Sequence, residues 1–105
     1  MRRFDVYLAN LDPARGREMK KTRPVLIVSP DEMNRYCGTV IIAPMTTKGR
    51  NYPSRIKITF HKTKGQVALD QLRALDKRRL VKRLGKIGRQ NAEKVLNVLS
   101  EIFAP

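Results

Sequence analysis

Little in this chain can hold a metal ion or form a disulfide. Its 105 residues contain one cysteine, Cys37, and one histidine, His61. A lone cysteine excludes an internal disulfide and a zinc knuckle, and a single histidine beside it leaves any zinc site short of ligands. Acids are scarce too, with nine Asp and Glu scattered along the chain against 23 Lys and Arg. Magnesium-dependent cleavage needs grouped carboxylates, so that scatter argues against it, and no metal or other cofactor is expected. No apolar run approaches the roughly 18 residues of a membrane span, and the first residues lack a signal peptide's apolar core. The expectation is a soluble cytoplasmic protein with no membrane partner. Repeats, low-complexity stretches and linkers are also missing, which leads to one domain over residues 1–105.

What the chain has in excess is positive charge. The formal net charge is +14, which opposes compaction and points to a polyanionic partner: nucleic acid, an acidic protein or an anionic surface. Two segments concentrate it. In "DPARGREMKKTRPVLIVSP", residues 12–30, Arg15, Arg17, Lys20, Lys21 and Arg23 face only Asp12 and Glu18 before the chain turns into Val25-Leu26-Ile27-Val28. That apolar run calls for burial on both faces, and Pro24 holds Arg23 extended at the junction. Lys77 to Arg89 carries seven basic residues and no acid. It reads first as a solvated face and second as a track for phosphates.

Periodicity places these segments. Phe4, Val6 and Leu8 alternate with Asp5, Tyr7 and Ala9 as in a strand, and residues 24–29 read as a buried strand. "SPDE" at 29–32 suggests a helix of about one turn, with Ser29 as cap and Glu32 completing a capping box. "GTVIIAPMTT" (38–47) is a second apolar run, and residues 47–53 form a loop. In "SRIKITF" (54–60), Ile56, Ile58 and Phe60 share one face. Gly65 marks a turn, and residues 66–76 supply one or two further strands. From Gln90 onward, Ala92, Val95, Leu96, Leu99, Ile102 and Phe103 follow helical spacing on one face, read as core. The fold class is mainly β (α+β): a compact antiparallel barrel with short helices and a C-terminal amphipathic helix.

Several chemistries can be weighed on the residues alone. Glu18-Met19-Lys20 forms an E-x-K of the kind found in nucleases, but three residues are too few to carry that reading. Spacing leaves a Cys37–His61 nucleophilic pair open, although a small apolar residue by a turn and a loop imidazole describe the two better. RNA cleavage without a metal requires a 2′-hydroxyl to attack its neighbouring phosphate while charge builds on the phosphate oxygens. An arginine fork suits that charge, and a threonine hydroxyl at a strand end can hold an oxygen in line. Arg23 opens one buried strand and Thr46 closes another, so antiparallel pairing would bring them together.

Taken in order, "LDPARGRE…KTRPVLIVSP", "VIIAPMTT" with "YP" soon after, and "VALDQLRALD" resemble the MazF/PemK toxin family, from about Phe4 to the terminal helix. The resemblance implies an SH3-like barrel and a dimeric, metal-independent endoribonuclease of a type II toxin–antitoxin pair. Such an enzyme cuts single-stranded RNA, including mRNA, at short sequences and leaves a 2′,3′-cyclic phosphate and a 5′-hydroxyl. It also implies an acidic MazE/PemI-like antitoxin as partner, with DNA reached only through that antitoxin. By position, Arg23 is similar to the family's catalytic arginine, Thr46 to its phosphate-holding threonine and Glu18 to the acid of the loop covering the site. That loop, residues 12–22, is expected to act as a flap. Candidate substrate-binding residues are Arg17, Lys20, Thr47, Lys48, Tyr52 and Asp70, with Tyr52 able to stack on a base and Asp70 a partner for Arg73 or a turn amide. Arg17 stands where some members have histidine and Ala68 where they have arginine, so the acid–base roles of those relatives do not transfer. Two rivals are a non-enzymatic nucleic-acid-binding barrel and a toxin of related fold acting on DNA gyrase.

Overall fold

A computed structural model describes residues 1–11 and 22–105. The strands are β1 (Asp5–Asn10), β2 (Thr22–Ile27), β3 (Thr39–Thr46), β4 (Arg55–Phe60), β5 (Thr63–Ala68), β6 (Arg73–Asp76) and β7 (Leu80–Lys86). A short helix α1 (Asp31–Tyr36) precedes β3, and α2 (Arg89–Ile102) follows β7. All the pairings are antiparallel, in the order β4-β5-β3-β2-β1-β7, with β6 on the first half of β3. The result is a curled, half-barrel sheet of the mainly-β class that the patterning implies.

β3 makes the curl. Its first residues pair with β6 as far as Ile42↔Arg73, whereas Met45 and Thr46 pair with Val67 and Gln66 of β5. Its other edge holds β2 through Val25↔Pro44, Leu26↔Ala43 and Ile27↔Ile42. The strand changes partner around Pro44, which has no N–H to donate and so tolerates a break in the ladder.

The run at 25–28 is buried on both faces. Leu26 and Val28 pack with Val6, Ala43, Met45, Ile56, Ile58, Val67 and Val95 inside the curl. Val25 and Ile27 pack with Ala9, Val40, Ile42 and Leu75 on the other side. Each fully buried aliphatic side chain contributes about 1.5–3 kcal/mol, so β2 and β3 anchor the molecule. The same two-sided burial breaks the simple alternation expected for β1. Val6 enters one cluster and Ala9 the other, while Asp5, 5% exposed, accepts hydrogen bonds from the Arg2 amide at 2.9 Å and Arg83 at 3.1 Å.

Three local expectations are corrected. Ser29 does not cap α1: Pro30 occupies that position with no side-chain cap. The Ser29 hydroxyl instead donates to Asn34 Oδ1 and accepts from the Ile41 amide at 3.0 Å. Tying two elements together satisfies more buried polar groups than a capping box would. The turn after β4 falls at His61 and Lys62, both left-handed at φ 48° and 66°, rather than at Gly65, which lies inside β5. On α2, Val95 is buried, and Ala92, Val98 and Leu99 pack on the core. Leu96, Ile102 and Phe103 remain exposed, Phe103 at 72%. Among the described residues, no helix is long and apolar enough to cross a membrane.

Candidate active site

The chemistry-bearing residues meet where β2 begins and β3 ends. Arg23 is held in the ladder opposite Ala9 of β1, and Thr46 opposite Gln66 of β5. Continuing the β2–β3 register two residues beyond Val25↔Pro44 brings Arg23 opposite Thr46. Two residues far apart in sequence thus share one rigid floor.

They stand between two hollows. The first, about 400 Å³, is lined by Arg23, Lys48, Arg50, Arg55 and Arg73 together with Thr46 and Gln71. Among the described residues five cations and no acid line it, so it attracts anions. The second, about 350 Å³, also contains Arg23 and Thr46 but is walled by Pro24, Met45, Ile58, Phe60 and Leu84. A third hollow of about 420 Å³ shares Thr47, Ile58, Gly65 and Gln66 with the second and continues to Lys57 and Lys64. Shared lining residues thus connect the three hollows.

Hydrogen bonding defines what each group has left to offer. The Thr46 hydroxyl accepts the Lys48 amide at 3.1 Å, which leaves its own hydrogen free to donate to a ligand oxygen. Arg23 is exposed at the start of β2. Among the described residues no carboxylate takes its guanidinium: Asp70 pairs with Arg55, Asp76 with Arg78, Asp5 with Arg83, Asp31 with Arg2 and Glu93 with Arg89.

Asp70 takes Arg55 rather than Arg73 as its charged partner, beside the turn backbone expected for it. Its carboxylate accepts from Arg55 Nε at 2.7 Å and from the Ser54 hydroxyl at 3.1 Å. The Arg55 contact, followed by that with Ser54 and the turn backbone, holds its pKa below the usual carboxylate range despite partial burial. It is therefore a positioning group for Arg55, whose side chain is only 6% exposed. Tyr52 belongs to the same assembly, with Arg55 over its ring at 5.3 Å. It lines neither hollow that contains Arg23. Thr47 lines the second and Lys48 the first, both exposed. Cys37 sits at the end of α1, away from both. Glu18, Arg17 and Lys20, like residues 12–21 of the expected flap, lie outside the described residues, while Thr22 opens β2.

These contacts fix the sign of a pH effect. Asp70 and Asp76 both titrate lower when folded, Asp76 at about 2 through Arg78. Their contribution to stability is present above the unfolded carboxylate pKa near 4 and is lost as pH falls through the folded values. Thermal unfolding should therefore show Tm falling steadily from about pH 4 towards pH 2. Asp70→Asn should lower Tm at neutral pH and flatten that acid slope. A variant with an unchanged slope would show that the Arg55 pair does not act on stability.

Residue patterning did not reveal Gln66, Gln71, Arg50 or Arg73 as parts of the site. Gln66 is 8% exposed. It accepts the Arg50 amide at 3.0 Å and donates to the Arg50 carbonyl at 3.2 Å, so it clamps the loop that carries Thr47 and Lys48. The available signal was the neighbouring Gly65, since glycine inside a strand often marks close backbone approach.

Residues 2–103 match the model of the PemK-like, MazF-like toxins of type II toxin–antitoxin systems. The chain belongs to that family. It is 37% identical to an Endoribonuclease MazF of Staphylococcus saprophyticus, over 94% of this chain and 88% of that protein. In structure it resembles a mycobacterial endoribonuclease solved with its cognate antitoxin, at TM-score 0.84 and 26% identity, covering 100% of this chain and 97% of the other. A MazE–MazF structure from Deinococcus radiodurans superimposes at TM-score 0.82 with 26% identity, over 97% of this chain and 94% of that one. As a PemK/MazF toxin, the chain has the fold that its motifs imply.

Proposed function

We propose that this PemK/MazF toxin is a sequence-specific endoribonuclease that cuts single-stranded RNA, including mRNA, without a metal ion and so blocks translation and growth. The observation that carries this reading is the placing of Arg23, which pairs with no carboxylate among the described residues, beside a Thr46 hydroxyl able to donate, at the junction of a cationic and an apolar hollow. The 2′-oxygen attacks phosphorus, a 2′,3′-cyclic phosphate forms and the bond to the 5′-oxygen breaks. The 2′-hydroxyl gives up one proton and the departing 5′-oxygen takes one, so the step is balanced. Arg23 neutralises the charge on the non-bridging oxygens through its planar fork, and Thr46 holds one of them in line. Arginine remains protonated at any working pH and does not serve as the base. Asp70 acts through Arg55, and Glu18 helps to position Arg23 or the 2′-hydroxyl. Arg17, Lys20, Thr47, Lys48 and Tyr52 bind the strand.

The same reading makes residues 1–105 one toxin domain, acting as a cytoplasmic homodimer. Its antitoxin is acidic and MazE/PemI-like, drawn in by the +14 charge and folding as it fills the groove. Contact with DNA comes only through that antitoxin.

The test is incubation of the purified protein with a long mixed-sequence RNA in EDTA, with cut sites and end groups mapped by sequencing and mass spectrometry. Discrete cuts ending in cyclic phosphate are expected. RNA bound in a salt-sensitive way but left intact would instead establish a binding barrel.

A further inference from the structure

The only histidine and the aromatic residue before it form a structure that the mechanism above does not use. Phe60 and His61 stack with ring centroids 4.0 Å apart and planes 15° from parallel. They sit at the tip of the β4–β5 hairpin and line the second hollow together with Arg23 and Thr46. We propose that this hollow is a base-binding subsite and that the Phe60–His61 pair is its stacking platform, selecting the nucleobase beside the scissile phosphate. The proposal rests on the ribonuclease reading.

Three observations support it. The two hollows divide the chemistry of a nucleotide: among the described residues the first has Arg23, Lys48, Arg50 and Arg73 for phosphate oxygens, whereas the second has Arg23 as its one cation beside apolar and aromatic walls. Its volume of about 350 Å³ is ample for one base and its sugar. Stacking on aromatic side chains is how proteins hold unpaired bases, because every base presents a π-face.

The platform is also held in place. A two-residue hairpin turn with both residues left-handed favours Asn-Gly, yet this chain places His61 and Lys62 there at φ 48° and 66°. Side chains in such a conformation persist where surrounding structure maintains them, commonly at ligand sites. Beneath the rings, β7 provides Gly85. A Cβ there would lie 3.2 Å from Phe60 Cζ and 3.3 Å from His61 Nε2, and the residue's φ of +154° disfavours side chains independently. The missing side chain lets both ring edges rest on β7.

The lining also supplies groups for selectivity: Thr47 and Thr63 bring hydroxyls, and Gln66, though bonded to the Arg50 backbone, keeps a second N–H for a base edge. Arg23 borders both hollows, so the nucleotide whose base stacks here presents its phosphate to the catalytic pair.

The test uses the full chain and a set of short RNA oligonucleotides spanning a mapped cut site, each with one abasic position. His61→Asn keeps a residue that tolerates the left-handed turn but removes the ring; His61→Phe keeps the ring. With wild-type protein, one abasic position flanking the cut should raise KM about tenfold, the size expected of one stacked base. His61→Asn should raise KM on intact RNA by a similar factor at nearly unchanged kcat. It should also lose the penalty at that one abasic position and relax the preferred base there, while His61→Phe restores both. Equal abasic penalties in wild type and His61→Asn, or an unchanged base preference, would overturn the proposal. If wild-type protein cuts nothing, the ribonuclease reading fails separately. Fluorescence anisotropy with short single-stranded RNAs of fixed sequence, intact or with one abasic position, then decides the subsite, by whether the abasic penalty in binding depends on the ring at position 61.

Discussion

Arg23→Ala should lower the RNA cleavage rate by about 10³-fold or more while leaving a folded protein. The magnitude follows from what one positioned charge donor is worth: removing an oxyanion donor costs about 10²–10³, and an arginine at a phosphoryl transition state reaches about 10³–10⁵. Folding should survive because Arg23 is exposed and its side chain pairs with no carboxylate among the described residues. Its strand position depends on backbone pairing with Ala9, which alanine retains. Exposed substitutions of this kind change stability by about 0.5 kcal/mol or less. Arg23→Lys separates charge from shape. Lysine keeps the cation but loses the two-pronged geometry, so it should recover only part of the rate. Cleavage assays in EDTA, with thermal melts of each variant, check all three. A fully active alanine variant would remove Arg23 from the mechanism, and an unfolded one would make it a structural residue.

Gly65→Ala should damage both stability and cleavage, although position 65 touches no substrate in the mechanism proposed. A Cβ there would sit 2.6 Å from the Thr46 carbonyl oxygen and 3.4 Å from its carbonyl carbon. Those are backbone atoms of the neighbouring strand, so no rotamer change relieves the clash. β5 must move away from β3, and overpacking of this type costs about 1–3 kcal/mol. For a chain of this size that corresponds to a fall in Tm of about 4–8 °C per kcal/mol. The strand that the added Cβ presses against, β3, carries Thr46, and a misplacement of about 1 Å can cost 10²-fold in rate. Gly38→Ala is the control, since nothing lies within 4 Å of a Cβ there. It should leave both quantities close to wild type. Equal melts and rates for the two alanine variants would show that the close approach at Gly65 does not hold Thr46.

The groove's composition explains why its charge is tolerable. Arg55 is neutralised by Asp70, Arg78 by Asp76 and Arg83 by Asp5. These three acids are thus spent on fixing particular arginines. Arg23, Lys48, Arg50 and Arg73 face the first hollow without such a partner among the described residues. A polyanion entering there replaces repulsion among these cations with attraction, which makes its binding steeply salt-dependent.

Sequence alone determined the features that depend on near neighbours. The run Val25–Val28 specified a strand buried on both faces, and alternation in 54–60 specified which side of β4 faces the core, because side-chain direction in a strand repeats every two residues. Helical spacing from Ala92 to Leu99 likewise specified a packed terminal helix. The ordered motifs around Arg23, Thr46 and the "VALDQLRALD" segment were enough to point to the family. Tertiary structure alone decided what depends on distant residues meeting. Ser29 chose Asn34 and Ile41 over a cap, since a buried hydroxyl is best satisfied by groups that only the folded chain supplies. Asp70 chose Arg55 across the sheet rather than nearby Arg73. Arg23, Arg50 and Arg73 reached one hollow, Gln66 clamped a loop, and Phe60 and His61 came to rest on Gly85, through the pairing of β3 with three different strands. Local periodicity encodes burial, whereas strand register brings together side chains dozens of positions apart, and register is settled only when the whole sheet closes on its core.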